Sequence, residues 1–261
     1  MRIRPFPFLT AAVAAVTAVP SLVQLADTAL LGAFRRDPAL VRTGEWWRLA
    51  TSLVFQDGGL LGTAFNLVTL LVIGTMAERA LGRGRWLALY LAGAAAGQVA
   101  GMLYGTAGAG NSIAVCGLAG GVLTAFLARS RAADATPGRS DATPGRSDAT
   151  PGRSDATPGR SETAPGRLEA SVAAFYSAVV ATPAFGDSTA AVVASVVVAS
   201  AGTQLVAHRD RLPRTTFPAL ALAAGVVLTA LSDLHGPALL AGLGMGAVLT
   251  LPQATPRRTR M

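Results

Sequence analysis

The sequence is short of several residue types, and each shortage argues against a class of protein. It has one cysteine, which excludes an internal disulfide framework. Charged residues make up 14% of the chain, whereas soluble domains carry about 25%. The chain has no lysine, so all 22 basic residues are arginine. Zinc-ligand spacing, a phosphate-binding glycine loop and a dinucleotide fingerprint are also missing, so the sequence predicts no metal and no cofactor.

Apolar sequence is what the chain has in excess. Hydrophobic residues make up 51% of it, and its mean hydropathy is +0.47. That balance is typical of polytopic membrane proteins. The net charge of +8 comes from arginines that lie between the apolar runs. It therefore indicates membrane topology and argues against a nucleic-acid partner. Heavy use of Ala, Gly and Arg without Lys favours a bacterial source.

Eight apolar runs predict eight membrane helices, because about 20 helical residues cross a hydrocarbon core of ~30 Å. The alternative is six crossings, with residues 168–207 as one interfacial hairpin. Under both counts the basic loops place the N- and C-termini in the cytoplasm of a multi-pass cell-membrane protein. The predicted fold class is an all-α, polytopic transmembrane helical bundle. The runs are 8–33, 60–77, 86–104, 113–128, 168–185, 188–207, 217–232 and 235–251.

Composition divides the chain into four parts. Residues 1–131 hold the first four predicted helices, and residues 168–251 hold the remaining ones. Residues 132–167 contain four copies of Asp-Ala-Thr-Pro-Gly-Arg-Ser. We predict that this segment is a disordered cytoplasmic linker, because every copy has a Pro and a Gly and little apolar surface. Residues 252–261 form a basic cytoplasmic tail.

Five short motifs follow one another along the chain. They are Trp47-Arg48 in a polar loop, residues 55–66 at the start of the second apolar run, Glu78-Arg79 at its end, Ala114-Val-Cys-Gly117, and residues 235–242. In this order and spacing they resemble the rhomboid intramembrane protease family. The third motif matches the Glu-Arg pair at the family's helix-2 exit. The fourth aligns with its Gly-x-Ser-Gly, and the fifth aligns with its final histidine motif.

The resemblance implies a site that differs from the family pattern. Cys116 stands at the position of the nucleophilic serine, His235 at the base and Asn66 at an oxyanion donor. The two helix-2 histidines of the family are replaced by Asp57 and Gly62, and the second of these is an oxyanion-binding position. Pro237 favours a helix start, so His235 is expected at a helix mouth.

Small residues are expected to bring the fourth helix and the last helix together. Close backbone approach inside a bilayer requires such residues. Cys116 and His235 should then face each other. The small residues are Gly117, Gly121, Ala238 and Gly242.

Two functions remain open at this point. The first is a rhomboid-like pseudoprotease that binds transmembrane segments of other proteins in the lipid bilayer with little or no proteolysis. A lost oxyanion donor typically costs about 10²–10³ in rate, which favours this function. The alternative is an active intramembrane endopeptidase that uses a Cys116–His235 dyad. Considered alone, Cys116 also fits a small buried packing residue. Small-solute transport is disfavoured, because Asp27 is the one acidic residue well inside an apolar run.

Overall fold

The computed structural model describes residues 6–134, 165–180 and 189–250, with side chains in the last range from residue 196 onward. Within these ranges the regular structure is helical apart from one antiparallel bridge between Arg36 and Gly108. The predicted all-α class is therefore confirmed. The helices are α1 (Phe8–Ala26), α2 (Ala29–Phe34), α3 (Pro38–Arg42), α4 (Arg48–Thr51), α5 (Gly59–Leu81), α6 (Arg83–Leu103), α7 (Ser112–Asp134), α8 (Arg167–Val179), α9 (Thr189–Ala207), α10 (Thr216–Ala230) and α11 (His235–Thr250).

Each of the eight predicted runs corresponds to one of the longer helices, but the first run is broken. Helix α1 ends at Ala26, and the Asp27 carboxylate accepts a hydrogen bond from the Ala29 N–H, 3.0 Å away, as α2 begins. The prediction of one continuous helix over residues 8–33 is therefore wrong, because the run breaks at Asp27, which is exposed at this helix end. Among the described residues, four helices (α1, α5, α6 and α7) are long and apolar enough to cross a membrane. The choice between eight and six crossings stays a prediction.

Helix α7 is the centre of the bundle. In its most apolar stretch 72% of the residues are buried, against 28% for α1 and 33% for α5. It packs against α5, α6, α8, α10 and α11. The outer helices instead expose large aliphatic side chains, such as Val19 on α1, Val68 on α5 and Val226 on α10. Such a surface suits contact with lipid chains.

Glycines set the distance between the three innermost helices. A Cβ atom on Gly117 of α7 would meet the Leu89 carbonyl oxygen and, at 2.9 Å, the Gly93 Cα of α6. A Cβ on Gly242 of α11 would meet the Gly117 carbonyl from the other side. A Cβ on Gly246 would lie 3.0 Å from the Gly121 Cα. The backbones of α6, α7 and α11 therefore touch, as close packing in a bilayer requires.

The Glu78-Arg79 motif joins the end of α5 to the start of α1. The Glu78 carboxylate accepts hydrogen bonds from the Leu9 N–H at 3.0 Å, and from the Thr10 N–H and hydroxyl at 2.8 Å each. It thereby satisfies N–H groups in the first turn of α1, which have no acceptor within the helix. Arg79 is exposed.

Two buried arginines organise the loop between α1 and α5. Arg48 pairs with Glu45 at 2.6 Å and donates to the backbone carbonyls of Gly32 and Arg35. Arg36 donates to the Thr106 carbonyl and to the Gln98 side chain. These cations are therefore bound inside the protein, whereas the neighbouring Trp47 ring is half exposed.

Most of the predicted linker 132–167 lies outside the described residues, as do residues 252–261. The two described ends of the linker are close together, because Ala133 and Pro165 line the same small cavity of about 200 Å³. The assignment of residues 1–131, 132–167, 168–251 and 252–261 to separate parts stays a prediction.

Candidate functional site

A cavity of about 520 Å³ opens where three helices begin. Gly59, Ser112 and His235 are the first residues of α5, α7 and α11. The unpaired N–H groups of a helix start carry partial positive charge, so this end of the bundle favours negative charge. No group of three or more His, Cys, Asp or Glu side chains that could hold a metal ion occurs among the described residues.

One side-chain contact in this cavity joins α7 to α11 and pairs a hydroxyl with an imidazole. The Ser112 Oγ lies 2.8 Å from the His235 Nε2. The other ring nitrogen, Nδ1, lies 2.7 Å from the Asp233 Oδ1. Because the carboxylate can only accept, Nδ1 carries the proton and Nε2 accepts the hydrogen bond of the Ser112 hydroxyl. A serine, a histidine and an aspartate thus form one line of hydrogen bonds, the arrangement that activates a hydroxyl nucleophile.

Local backbone structure holds Asp233 in place. The preceding residue, Ser232, has a left-handed conformation with φ of 57°. Asp233 donates its N–H to the Leu228 carbonyl and accepts the His235 N–H on its Oδ1 at 2.8 Å. Burial raises the pKa of Asp233, but the hydrogen bonds from His235 outweigh this and hold it below its usual value. His235 begins α11, with Pro237 two residues later, so the expected helix-mouth position is observed.

Cys116 is not the residue that the structure pairs with His235. It lies one helical turn after Ser112 and is fully buried. The expected Cys116–His235 contact is therefore replaced by the Ser112–His235 contact. The physical reason is that α7 begins at Ser112, so this residue reaches the start of α11 while Cys116 lies inside the bundle.

Asn66 lies at the same cavity, as expected for an oxyanion donor. Its Nδ2 donates to the Gln56 Oε1 at 2.6 Å. A Cβ atom on Gly110 would be 3.3 Å from both of these atoms and 3.6 Å from the Ser112 Oγ. The two amides and the serine hydroxyl therefore surround one small space beside Gly110.

Gly62 also lines the cavity, and its missing side chain has a steric reason. A Cβ at this position would lie 2.5 Å from the Asp57 carbonyl oxygen. The turn at residues 57–58 therefore occupies the space that a histidine would need. A side-chain donor at position 62 is incompatible with this backbone.

Asp57 and Arg36 hold the segment that leads into Ser112. The Asp57 backbone N–H donates to the Ala109 carbonyl at 3.0 Å, and its carboxylate accepts from the Ala109 N–H. Arg36 forms the bridge with Gly108 on the other side. Burial lowers the pKa of the Arg36 guanidinium, and the charge of Asp57 offsets part of that effect.

Sequence reasoning identified His235 and Asn66 but missed Ser112, Asp233 and Gln56. A signal for the serine was present, because Gly110-Asn111-Ser112 also reads Gly-x-Ser, without the following glycine of the family motif. The position of Ser112 at the start of an apolar run was a second signal. Nothing in the sequence marks Gln56, whose role depends on the packing of a turn against α5.

Comparisons with known proteins match part of the chain. Residues 43–140 match the family model described as Rhomboid domain. A stretch of 94 residues is 39% identical to "Rhomboid protease GluP" of Bacillus subtilis (strain 168). This stretch is 34% of the chain and 18% of that protein, so the chain spans under a fifth of the relative's length. No solved structure matches the chain. Residues 43–140 of the chain are therefore similar to the rhomboid family.

Proposed function

We propose that this protein is a serine-type intramembrane endopeptidase whose nucleophile is Ser112 and whose general base is His235. The observation that carries the proposal is the 2.8 Å contact between the Ser112 Oγ and the His235 Nε2. Asp233 sets the tautomer of the imidazole and stabilises the imidazolium that forms during the reaction. The name of the Bacillus relative, a rhomboid protease, supports the same reaction class.

Acylation begins when the Ser112 Oγ attacks the carbonyl carbon of the scissile peptide. The hydroxyl proton passes to the His235 Nε2, and a tetrahedral oxyanion forms. The intermediate then expels the amine, which takes the proton from Nε2, and leaves an acyl ester on Ser112. Deacylation repeats the sequence with water, whose proton goes to Nε2 and then returns to the Ser112 Oγ as the carboxylic acid leaves.

Two sets of donors are available for the oxyanion. The first is the backbone N–H groups at the start of α7, which have no acceptor within the helix. The second is the Asn66 side-chain amide, whose Nδ2 donates one hydrogen to Gln56 and has a second hydrogen with no acceptor among the described residues. Donors fixed in place before charge develops provide the largest single contribution to such reactions.

We propose that the substrates are transmembrane segments of other proteins, which the enzyme binds within the lipid bilayer. The cavity lining includes apolar residues such as Phe65, Val179 and Val180 together with polar ones such as Asn66 and Ser112. An apolar side with a polar reaction centre suits a largely apolar peptide whose cleaved bond must reach water.

A second candidate function is binding of transmembrane segments with little or no cleavage. Gly62 favours it, because this position contributes no oxyanion donor. The two candidates share the cavity and the class of partner. They differ in whether the Ser112 hydroxyl reacts.

A fluorophosphonate probe separates the two candidates. With the purified full-length protein in detergent, we expect Ser112 Oγ to bond to phosphorus while fluoride leaves and the proton passes to His235. Peptide mapping should place the label on Ser112. Ser112→Ala should lose the label, and Cys116→Ala should keep it. Absence of label on the unaltered protein, or a label lost only in Cys116→Ala, would contradict the proposal.

A further inference from the structure

Gln56 is a buried amide that the reaction scheme above does not use. Its side chain is fully buried in the turn before α5. Its backbone is fixed by a double contact with α1: Gln56 N–H donates to the Gln24 Oε1 at 3.0 Å, and the Gln24 Nε2 donates to the Gln56 carbonyl. The turn therefore cannot move without disturbing α1.

One half of the Gln56 amide has no partner. Its Oε1 accepts from Asn66, but its Nε2 has no hydrogen-bond partner among the described residues. A buried donor without a partner typically costs about 1–3 kcal/mol. An apolar residue of similar shape would avoid that cost. The presence of an amide here points to a role other than stability.

The contact with Asn66 determines which end of the Asn66 amide faces the reaction. An oxyanion is stabilised by N–H groups and repelled by a carbonyl oxygen. Since the Gln56 Oε1 can only accept, it binds the NH₂ group of Asn66. This contact holds the Asn66 Nδ2 3.3 Å from the Gly110 Cβ position, which is itself 3.6 Å from the Ser112 Oγ. Without this acceptor the Asn66 amide could turn its oxygen toward the same space.

We infer that Gln56 is a positioning residue, which fixes Asn66 as an oxyanion donor in a site where residue 62 can carry no donor. The inference rests on the proposed protease function. It explains how the site compensates for Gly62: the backbone turn that fills the space beside Gly62 also brings Gln56 against Asn66.

The test compares Gln56→Leu with Asn66→Ala and with the double variant, all as full-length protein in liposomes. A fluorogenic transmembrane peptide reports kcat and KM. Gln56→Leu should lower kcat about 10-fold or more, with KM changed less than about threefold, because the donor acts mainly when charge develops. The double variant should be no slower than Asn66→Ala alone, because the two residues act as one unit.

Gln56→Met replaces the leucine variant if that one does not fold. Thr63→Val is the matched control, because the Thr63 hydroxyl is also buried, has no partner in the described part of the chain, and lies one turn from Asn66 on α5. We expect kcat of this variant to be unchanged. Three results would overturn the inference: losses of kcat that multiply in the double variant, an unchanged kcat in the Gln56 variant that folds, or an equal loss of kcat in Thr63→Val. If the unaltered protein neither cleaves the peptide nor reacts with a fluorophosphonate, the proposed function fails, and this inference fails with it.

Discussion

At the residue scale, the site shows why a nucleophile is hard to locate from a short motif. Ser112 and Cys116 are four residues apart, so they share one face of α7. Motif matching chose Cys116 because Gly117 follows it. Only the position of the helix start distinguishes the two, and it places Ser112 at His235. Asp233 could not be predicted, because its contact depends on the left-handed backbone of Ser232.

The Asp233→Asn variant tests the role of the aspartate in the Ser112–His235–Asp233 hydrogen-bond chain. Asp233→Asn keeps an oxygen that can accept the His235 N–H, but it loses the charge that stabilises the imidazolium. We expect kcat to fall by about 10² or more, since the same change in a related triad costs about 10⁴. KM should change little. A loss below threefold in peptide cleavage would show that Asp233 does not assist His235.

The same variant has an expected pH signature. The pKa of Asp233 is held below its ordinary value of 3.8, so its contribution to stability is present above that pH and is lost as the pH falls through the lowered pKa. The unaltered protein should therefore unfold at a higher temperature than Asp233→Asn at pH 7. That difference should shrink below about pH 4. A difference in unfolding temperature that grows as the pH falls would contradict the lowered pKa of Asp233.

At the element scale, helix positions were predictable and helix contacts were only partly so. Apolar runs located α5, α6 and α7 to within a few residues, since about 20 apolar residues in sequence need no tertiary information to be recognised. The small residues Gly117 and Gly242 were expected to meet, and they do. Gly93 recurs with two other glycines on one face of α6, a spacing that predicts a tightly packed neighbour there but does not identify that neighbour as α7.

Gly117→Ala tests the three-helix contact. Its Cβ would meet the Leu89 carbonyl and the Gly93 Cα, so α6 and α7 must separate. Overpacking of this kind typically costs about 1–3 kcal/mol. Thermal unfolding in detergent should show a lower midpoint for this variant. Gly244→Ala is the control on α11, where a Cβ meets nothing within 4 Å, and its midpoint should stay near that of the unaltered protein. Equal midpoints for both variants would argue against the contact.

At the scale of the whole molecule, the loop between α1 and α5 explains an exception in the charge pattern. The positive-inside rule places this loop outside although it carries four arginines. Arg36 and Arg48 are buried and hydrogen-bonded, and Arg42 donates to the Met102 carbonyl. These cations therefore stabilise the loop. The cytoplasmic position of both termini stays a prediction.

Deleting residues 134–161 tests the predicted linker. Because Ala133 and Pro165 line one small cavity, a short connection can join α7 to α8. The deletion variant should insert into membranes, unfold at the same temperature and cleave at the same rate. Loss of folded protein would show that the repeats contribute to the fold.

Reporter fusions after Arg131 and after Arg260 test the orientation, and both should give a cytoplasmic signal. A signal from the other side of the membrane at either position would overturn the predicted orientation.

The central claim is that Ser112, and not Cys116, performs the chemistry. The most direct measurement is cleavage of a model transmembrane substrate in liposomes by the purified full-length protein, by Ser112→Ala and by Cys116→Ala. We predict that the unaltered protein cleaves, that Ser112→Ala has no cleavage above background, and that Cys116→Ala keeps most of the rate. Cleavage that survives in Ser112→Ala, or that is lost only in Cys116→Ala, would contradict the account.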